Sequence, residues 1–472
     1  MEFPFIVGGK KRISEKFKEI KSPWDGEVCS KVFLAQKEDI EDGVSLADRS
    51  FERTKSLPSY ERASILERIS LLIEKRKEEL AKWIVLQAGK PIRDSRIEVD
   101  RAIFTFKIAG EEAKRIGGEI MDLDLRKGLD KRIGLIRRFP IGTILAITPF
   151  NFPLNLVAHK VAPAIAVGNP IILRPATQTP SPSIILGEII VESGYPEEAI
   201  SVVPSSHEAI EYLFNDGRIK KVTFTGSAEV GWEIKRKAWK KKVTLELGGN
   251  AGVIVDRDSD IEWAVERITF GSFSYAGQIC ISVQRVWIHE EIWDVFIDKF
   301  LERTKKLKVG NPMEEDTDIG PLIDDESAKR LKSWLEEARE GGAIFLTGGK
   351  IEGRIMEPTI ITNTKPEMKI FCAEAFAPLV IVEKFKDFDS ALDRVNNSIY
   401  GLQAGVFTKD IKKIFKAFEK LEVGGVVVND VPTFRIDHMP YGGVKESGFG
   451  REGIRWAMEE MTEVKLLALN LF

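Results

Sequence analysis

The chain has 472 residues, 43% of them apolar, and its 73 acids and 70 bases leave a net charge of −3. That length exceeds one simple core and implies roughly two or three domains of about 150 residues each; the near balance of charge gives no bulk attraction to nucleic acid or anionic membranes. Three widely spaced cysteines exclude a disulfide framework and point to a reducing compartment, so a soluble cytoplasmic protein is expected.

The N-terminal run MEFPFIVGGKKR has an early acid, no basic start and no long apolar stretch, so no secretory signal is expected. Apolar residues at helical spacing, from Ile65 to Ile84, predict a helix over 61–86 that Gly89 and Pro91 stop. The run Asp122 to Arg138 alternates differently, and GLIRRF within it reads as a strand outside the main sheets. Ile141 to Ala158 holds no charge, yet a membrane span there would strand Asn151, Asn155 and two prolines in lipid. A buried strand turning into a buried helix fits better. IGTILAIT, NPIILRP, AISVVP, KKVTFTG and KVTLELG follow as strands, with helices near 154–167, 181–193, 207–215 and 228–238 between them. That alternation predicts a parallel sheet with helices on both faces.

A second series places strands near 283–288, 379–384, 403–407 and 425–429, with helices that include 291–307 and 324–340. Two α/β domains result. A last strand is expected over Val464 to Phe472; it and GLIRRF are left free to pair with another subunit's edge. The basic run KRKAWKKK, 235–242, reads as a solvated helix end that suits the helix dipole, since no aromatic platform accompanies it.

Five stretches bear on chemistry. GFGREG, Gly448 to Gly453, matches G-x-G-x-x-G but follows no buried strand and opens no βαβ unit, so it reads as a turn before the last helix. FTGSAEVG, 224–231, sits where a strand turns into a helix. It is either an ordinary turn with a serine cap or a phosphate cradle built from free N–H groups. Glu246 ends a strand before a glycine pair, where open α/β sheets place ligands; a structural salt bridge is the other reading. Asn151 either caps the next helix or donates to an oxyanion. Cys280, in YAGQICIS, is either buried packing or a nucleophile.

Taken jointly, these stretches resemble the aldehyde dehydrogenase superfamily along essentially the whole chain. The carriers are GKP (89–91), PIGTILAITPFNFPL (140–154), KVAPAIAVGN (160–169), FTGSAEVG, LELGGN (245–250), GQIC, EAFAP (374–378), YGLQAGVFT (400–408) and PYGGVKESGFGREG (440–453). The resemblance implies an aldehyde dehydrogenase-like fold: a Rossmann-type parallel-sheet cofactor domain, an α/β catalytic domain and small oligomerisation strands. The boundaries it implies are 1–120 with 140–247 for NAD(P), 248–456 for catalysis, and 121–139 with 457–472 for oligomerisation. It implies that the Cys280 thiolate attacks an aldehyde, that Asn151 and the Cys280 N–H hold the oxyanion, and that Glu246 activates water against the thioester. Lys160 would help set up this relay. Ile147, Thr148, Pro149 and Phe150 would line NAD(P). FTGS would hold its pyrophosphate through Gly226 and Ser227, with Val230, Gly231 and Leu247 beside them. Arg174, Ala176 and Thr177 would reach the adenine ribose, and Glu374 with Phe376 the nicotinamide end. Relatives that pass the acyl group to coenzyme A usually lack the glutamate, so Glu246 favours hydrolysis to an acid.

Several positions depart from the family pattern. Arg174 stands where lysine is usual, and Thr177 where NAD-preferring members carry glutamate. A threonine removes the repulsion of a 2′-phosphate and an arginine binds one well, so NADP is expected to be accepted and even preferred over NAD. Gln87, Tyr275 and Ala377 replace glutamate, asparagine and glycine. Asn155, His159 and Arg435 fall around the substrate tunnel, His159 equally as a core histidine, and imply a small hydroxylated or anionic aldehyde. Lactaldehyde, glyceraldehyde, succinic semialdehyde and glyceraldehyde 3-phosphate fit. Ile279 speaks against the last, because non-phosphorylating enzymes for it often carry arginine there. A thiol esterase or acyltransferase using the same Cys280 and Glu246 is the rival activity. No metal, nucleic acid or membrane partner is implied; a homodimer or homotetramer is.

Overall fold

A computed structural model describes residues 1–471. Five parallel strands form the centre of the first sheet, in the order Lys242–Glu246, Ile219–Thr225, Thr143–Ile147, Ile171–Arg174, Ile200–Val202. Numbered along the chain this is 5-4-1-2-3, the doubly wound order read from its far edge. The strands are buried throughout their middle, which is why they read as unbroken apolar runs rather than alternating ones. Antiparallel Phe5–Val7 and Lys10–Arg12 extend one edge. The chain order reverses between Thr143–Ile147 and Ile219–Thr225, and a crevice opens outside their carboxyl ends.

The second sheet has seven strands, ordered Ile344–Thr347, Thr359–Thr362, Leu379–Phe385, Val283–His289, Ala251–Val255, Gln403–Phe407, Gly425–Val428, parallel except at the first. Its interior strand Ala251–Val255 is absent from the sequence reading. Only Leu247–Asn250 separates it from Lys242–Glu246, so its apolar run looks like that strand's continuation. The same four residues carry the chain from the carboxyl end of one sheet to the amino end of the other.

Two further expectations are corrected. The helix over 61–86 is two, Ser59–Lys75 and Lys77–Ala88, broken at Arg76, whose φ of −103° and ψ of 19° leave the helical region. No glycine or proline marks the break; the Arg76 guanidinium is tied to Glu79 and Glu188. The end at Gly89 is as read, with a left-handed φ of 65°. GFGREG begins as a strand: Gly448–Phe449 pairs antiparallel with Leu245 and Glu246 at the first sheet's other edge. Outside the two main sheets the outlying strands form a small sheet of their own, where Thr462–Asn470 lies against Arg132–Pro140 over nine residues, with Glu119–Asp122 on the other side. The final residue of that expected strand, Phe472, lies outside the described residues. Among the described residues no helix is long and apolar enough to cross a membrane.

The helix Asn155–Val167 is buried at every position, so polar residues on it must find partners inside the protein. It brings Asn155, His159 and Lys160 beneath the crevice.

Candidate active site

The carboxyl ends of the first sheet face the amino ends of the second. Between them runs a groove of about 390 Å³. Ile147, Thr148, Pro149 and Phe150 line it from one side of the switch point, Gly226, Ser227 and Val230 from the other, and Arg174, Ala176 and Thr177 from the next strand. Leu247, Glu374 and Phe376 close it from the second sheet's side. Gly231 is the exception among the residues assigned to this groove. A Cβ there would stand 2.3 Å from Leu247 Cδ2, so its lack of a side chain lets the helix sit tight under Leu247. Gln178 and His207 line the groove as well. His207 begins a helix shortly after Ile200–Val202, and the strand-end rule that singled out Glu246 would have found it.

The groove fits a dinucleotide. The helix Ala228–Lys237 starts after Ser227, whose side chain makes no capping bond, so its first N–H groups are open to an anion. Thr148 and Thr225 each bury a hydroxyl with no partner. Phe150 and Phe376 meet edge to face at 5.8 Å. At the far end, Arg174 spends Nε and Nη2 on the Ser205 carbonyl, at 3.2 and 3.0 Å. Burial lowers its pKa to about 10, which leaves it a cation at neutral pH. Glu374 accepts from the Gly249 N–H at 3.0 Å, and burial pushes its carboxyl up to about 7.

A second cavity, about 270 Å³, meets the groove at Cys280 and Leu156, which line both. Cys280 is placed by an unusual loop. The helix Ile261–Phe273 ends, and Tyr275, Ala276 and Gly277 all take left-handed φ, at 50°, 52° and 65°. Only glycine fits the third position, since a Cβ would lie 2.0 Å from the Ala377 carbonyl oxygen. Gln278 then anchors the loop: its side chain accepts from Ile323 N–H and its carbonyl accepts from Asn151 Nδ2 at 2.9 Å. Asn151 thus uses one amide hydrogen on the Cys280 loop and retains another. The Cys280 sulfur lies 3.1 Å from the Tyr441 hydroxyl. Burial pushes its pKa up to about 11, against the pull of Tyr441 and Arg435.

Glu246 is buried, and neither carboxylate oxygen has a hydrogen-bond partner. Burial, then the neighbouring Glu452, raises its pKa well above 4.5. Lys160 does not bond to it. Lys160 donates to Glu452 at 2.7 Å and to Thr223 at 3.1 Å, fully buried. Burial would raise Glu452, but Lys160 and Arg435 outweigh it and keep that carboxyl ionised. Glu452 belongs to GFGREG, so the segment read as a plain turn supplies a buried charge at the site.

The substrate-side residues divide. Asn155 and Arg435 line the second cavity; His159 does not. His159 donates from Nε2 to Asp437 at 2.8 Å, while Asn155 donates to the same oxygen at 3.0 Å. Burial, then Arg435, lowers the His159 pKa and keeps the ring neutral. Asp437 is the centre that sequence reasoning missed. It also accepts from Arg101 Nη2 at 2.7 Å and Nε at 3.2 Å, and Arg101 lines the cavity. The loop FRIDHMP drew attention to Arg435; nothing local to it signals that Asp437 meets a helix more than 300 residues earlier. Lys90 also lines the cavity, paired with Glu98 and placed 3.5 Å from the Phe152 ring centroid.

Residues 10–467 match the model of the aldehyde dehydrogenase family. The chain is 42% identical over 471 residues to a 3-sulfolactaldehyde dehydrogenase of Priestia aryabhattai, covering 100% of this chain and 98% of that protein. It is 41% identical over 463 residues to a lactaldehyde dehydrogenase of Methanococcus aeolicus, covering 97% and 98%. Among solved structures it superposes with a TM-score of 0.93 on a glyceraldehyde-3-phosphate dehydrogenase of Methanocaldococcus jannaschii complexed with NADP, at 39% identity over 97% of this chain and 100% of that one.

Proposed function

The chain belongs to the aldehyde dehydrogenase family, and from that premise we propose that it oxidises a three-carbon 2-hydroxyaldehyde bearing an anion on its third carbon, with NADP preferred over NAD. The observation that carries the reading is the junction at Cys280, where a dinucleotide-sized groove and a small arginine-lined cavity share one sulfur. The three relatives act on aldehydes that share the 2-hydroxypropanal frame and differ at the third carbon: hydrogen, sulfonate or phosphate. Arg101 and Arg435 reach the cavity. A guanidinium has five N–H donors, of which Arg101 spends two on Asp437, and the buried Arg435 Nε has no partner. Unspent charged donors at the cavity wall favour an anionic tail over the methyl group of lactaldehyde.

In the first step the Cys280 thiolate bonds to the carbonyl carbon and the carbonyl electron pair moves to oxygen. The free Asn151 amide hydrogen and the Cys280 N–H donate to that oxygen. NAD(P) bound in the groove supplies the hydride acceptor. Glu246 then takes a proton from the water that attacks the thioester, the carbon–sulfur bond breaks, and the acid leaves with Cys280 restored as thiolate. Glu246 suits this task because burial and Glu452 make its carboxylate basic. Lys160 acts one position away, by neutralising Glu452. At the far end of the groove, Thr177 and the cation Arg174 favour a 2′-phosphate.

We propose a division into 1–120 with 140–247 for NAD(P), 248–456 for catalysis, and 121–139 with 457–472 for oligomerisation. We assign the last pair to a homodimer or homotetramer contact, with exposed Met121, Val464, Leu466 and Leu467 as its apolar surface.

The test is kcat/KM for lactaldehyde, sulfolactaldehyde and glyceraldehyde 3-phosphate with each cofactor, beside Cys280→Ala. The two anionic aldehydes are expected to exceed lactaldehyde at least tenfold, and Cys280→Ala to abolish NAD(P)H formation. Equal values across the three would remove the anion from the proposal. Turnover of activated esters without NAD(P)H formation would establish the esterase instead.

A further inference from the structure

We propose that Tyr441 is a further catalytic residue, whose hydroxyl donates a hydrogen bond to the Cys280 sulfur and stabilises it as thiolate both before attack and on release of the acid. The proposal rests on Cys280 being the nucleophile, and goes beyond that reading in assigning the sulfur a partner.

Three observations carry it. The phenol oxygen lies 3.1 Å from Sγ, within reach of a sulfur hydrogen bond. Tyr441 is 3% exposed and packs against Ile281 and Leu402, so water is a poor competitor for its hydroxyl. Its backbone is held at both ends of one residue pair: Tyr441 N–H donates to the Glu452 carbonyl and Glu452 N–H to the Tyr441 carbonyl, at 3.0 and 2.6 Å. The backbone pair fixes the Cα, and the packing against Ile281 and Leu402 leaves the ring little room to swing away from the sulfur.

A fourth feature strengthens the donor. The Arg435 guanidinium lies 3.6 Å from the ring centroid. A cation over the face draws electron density from the ring and makes the O–H more polar. Arg435 is itself held by Glu452 at 3.4 Å. The charged and titratable groups acting on Cys280 are Tyr441, Arg435, Glu374 and Glu246; those acting on Tyr441 are Cys280, Arg435 and Glu246. In both sets Arg435 is the cation, and the phenol is the neutral donor in contact with sulfur.

The balance is simple. Cys280 loses its proton to hydroxide of the solvent, which becomes water, and the S–H bond pair stays on sulfur. Tyr441 keeps its own proton and donates the hydrogen bond. That bond weakens as sulfur shares its pair with the aldehyde carbon. It strengthens again as the carbon–sulfur bond of the thioester breaks and the pair returns to sulfur. One hydroxyl thus serves the formation of the nucleophile and the departure of the leaving group.

The test is the pH dependence of Cys280 alkylation by iodoacetamide in full-length wild type and Tyr441→Phe. The Cys280 peptide is followed by mass so that exposed Cys372 and half-buried Cys29 do not contribute. Loss of a hydrogen bond to the thiolate should move the curve up by about one pH unit, which is about tenfold slower alkylation on its rising limb. The same variant should lower kcat with little change in KM. Replacing all tyrosines with 3-fluorotyrosine acidifies the phenol and should move the curve down; it tests the contact should Tyr441→Phe fold poorly. Superimposable curves in wild type and variant, or no downward move with fluorotyrosine, would overturn the role of Tyr441. Survival of aldehyde-dependent NAD(P)H formation in Cys280→Ala would instead remove the nucleophile reading beneath it.

Discussion

Asp437→Asn is the sharpest perturbation of the substrate cavity. The Asp437 carboxylate, with 3% of its side chain exposed, accepts four hydrogen bonds: two from Arg101 and one each from His159 and Asn155. Burial would raise its pKa, but His159 and Arg101 hold it well below the carboxylate range. An amide of the same shape turns one acceptor atom into a donor among donors and leaves Arg101 without a counter-charge. Breaking a fully buried pair costs about 3–5 kcal/mol. The Arg101 side chain is 25% exposed, so solvent recovers part of that, and about 2–3 kcal/mol of stability should be lost. Freed from Asp437, Arg101 should no longer stand at the cavity wall. Losing about 1.5–3 kcal/mol of charged hydrogen bonding to the substrate anion corresponds to a rise in KM of roughly tenfold to a hundredfold. Differential scanning calorimetry and steady-state kinetics on anionic and uncharged aldehydes measure both. The uncharged substrate should be affected far less. An unchanged Tm with an unchanged KM for the anionic aldehyde would refute the whole argument, because it would show that Asp437 neither carries the network nor places Arg101.

Glu246→Gln should abolish hydrolysis while stabilising the protein above neutral pH. The sign follows from the raised pKa: the folded protein keeps a proton that the unfolded chain gives up near its ordinary pKa of 4.5, so stability falls as pH climbs from there towards the folded pKa. Tm of variant and wild type should agree below that range and separate above it. In wild type, the raised pKa values of Glu246 and Cys280 predict activity that increases with pH through the alkaline range, and a profile flat from pH 6 to pH 9 would contradict it. Thr177→Glu should lower kcat/KM for NADP at least tenfold, about 1.4 kcal/mol, and leave NAD nearly untouched; cofactor titrations decide it. Gly277→Ala combines a left-handed φ, about 1–2 kcal/mol, with a clash against backbone, about 1–3 kcal/mol. It should lower Tm by several degrees and slow Cys280 alkylation through displacement of the loop.

The sequence by itself determined the first sheet and most of the residues that gather at the groove. Its strands are buried on both faces, so each appears as a continuous apolar run, and helices between them force parallel order. Cys280, Glu246, Asn151 and the groove residues were legible because each lies at a strand end or a glycine turn in a motif a few residues long. The helix break at Arg76 was not legible, since an ion pair with Glu188 on another helix marks it rather than any local signal. Neither was Asp437, whose partners Arg101, Asn155 and His159 come from two helices far off in the chain. Tyr441 looked like one more residue of a glycine-rich segment until the fold set it against sulfur. Only the tertiary structure decided that His159 serves Asp437 rather than the cavity, that Lys160 neutralises Glu452 rather than touching Glu246, and that the outlying strands pair with each other. The strands pair through backbone groups that the chain path brings side by side; the reason is common to the other two. Local sequence fixes which backbone conformations are affordable, but a buried charge must be satisfied by whatever partner the packing brings within about 3 Å, and that partner is set by topology.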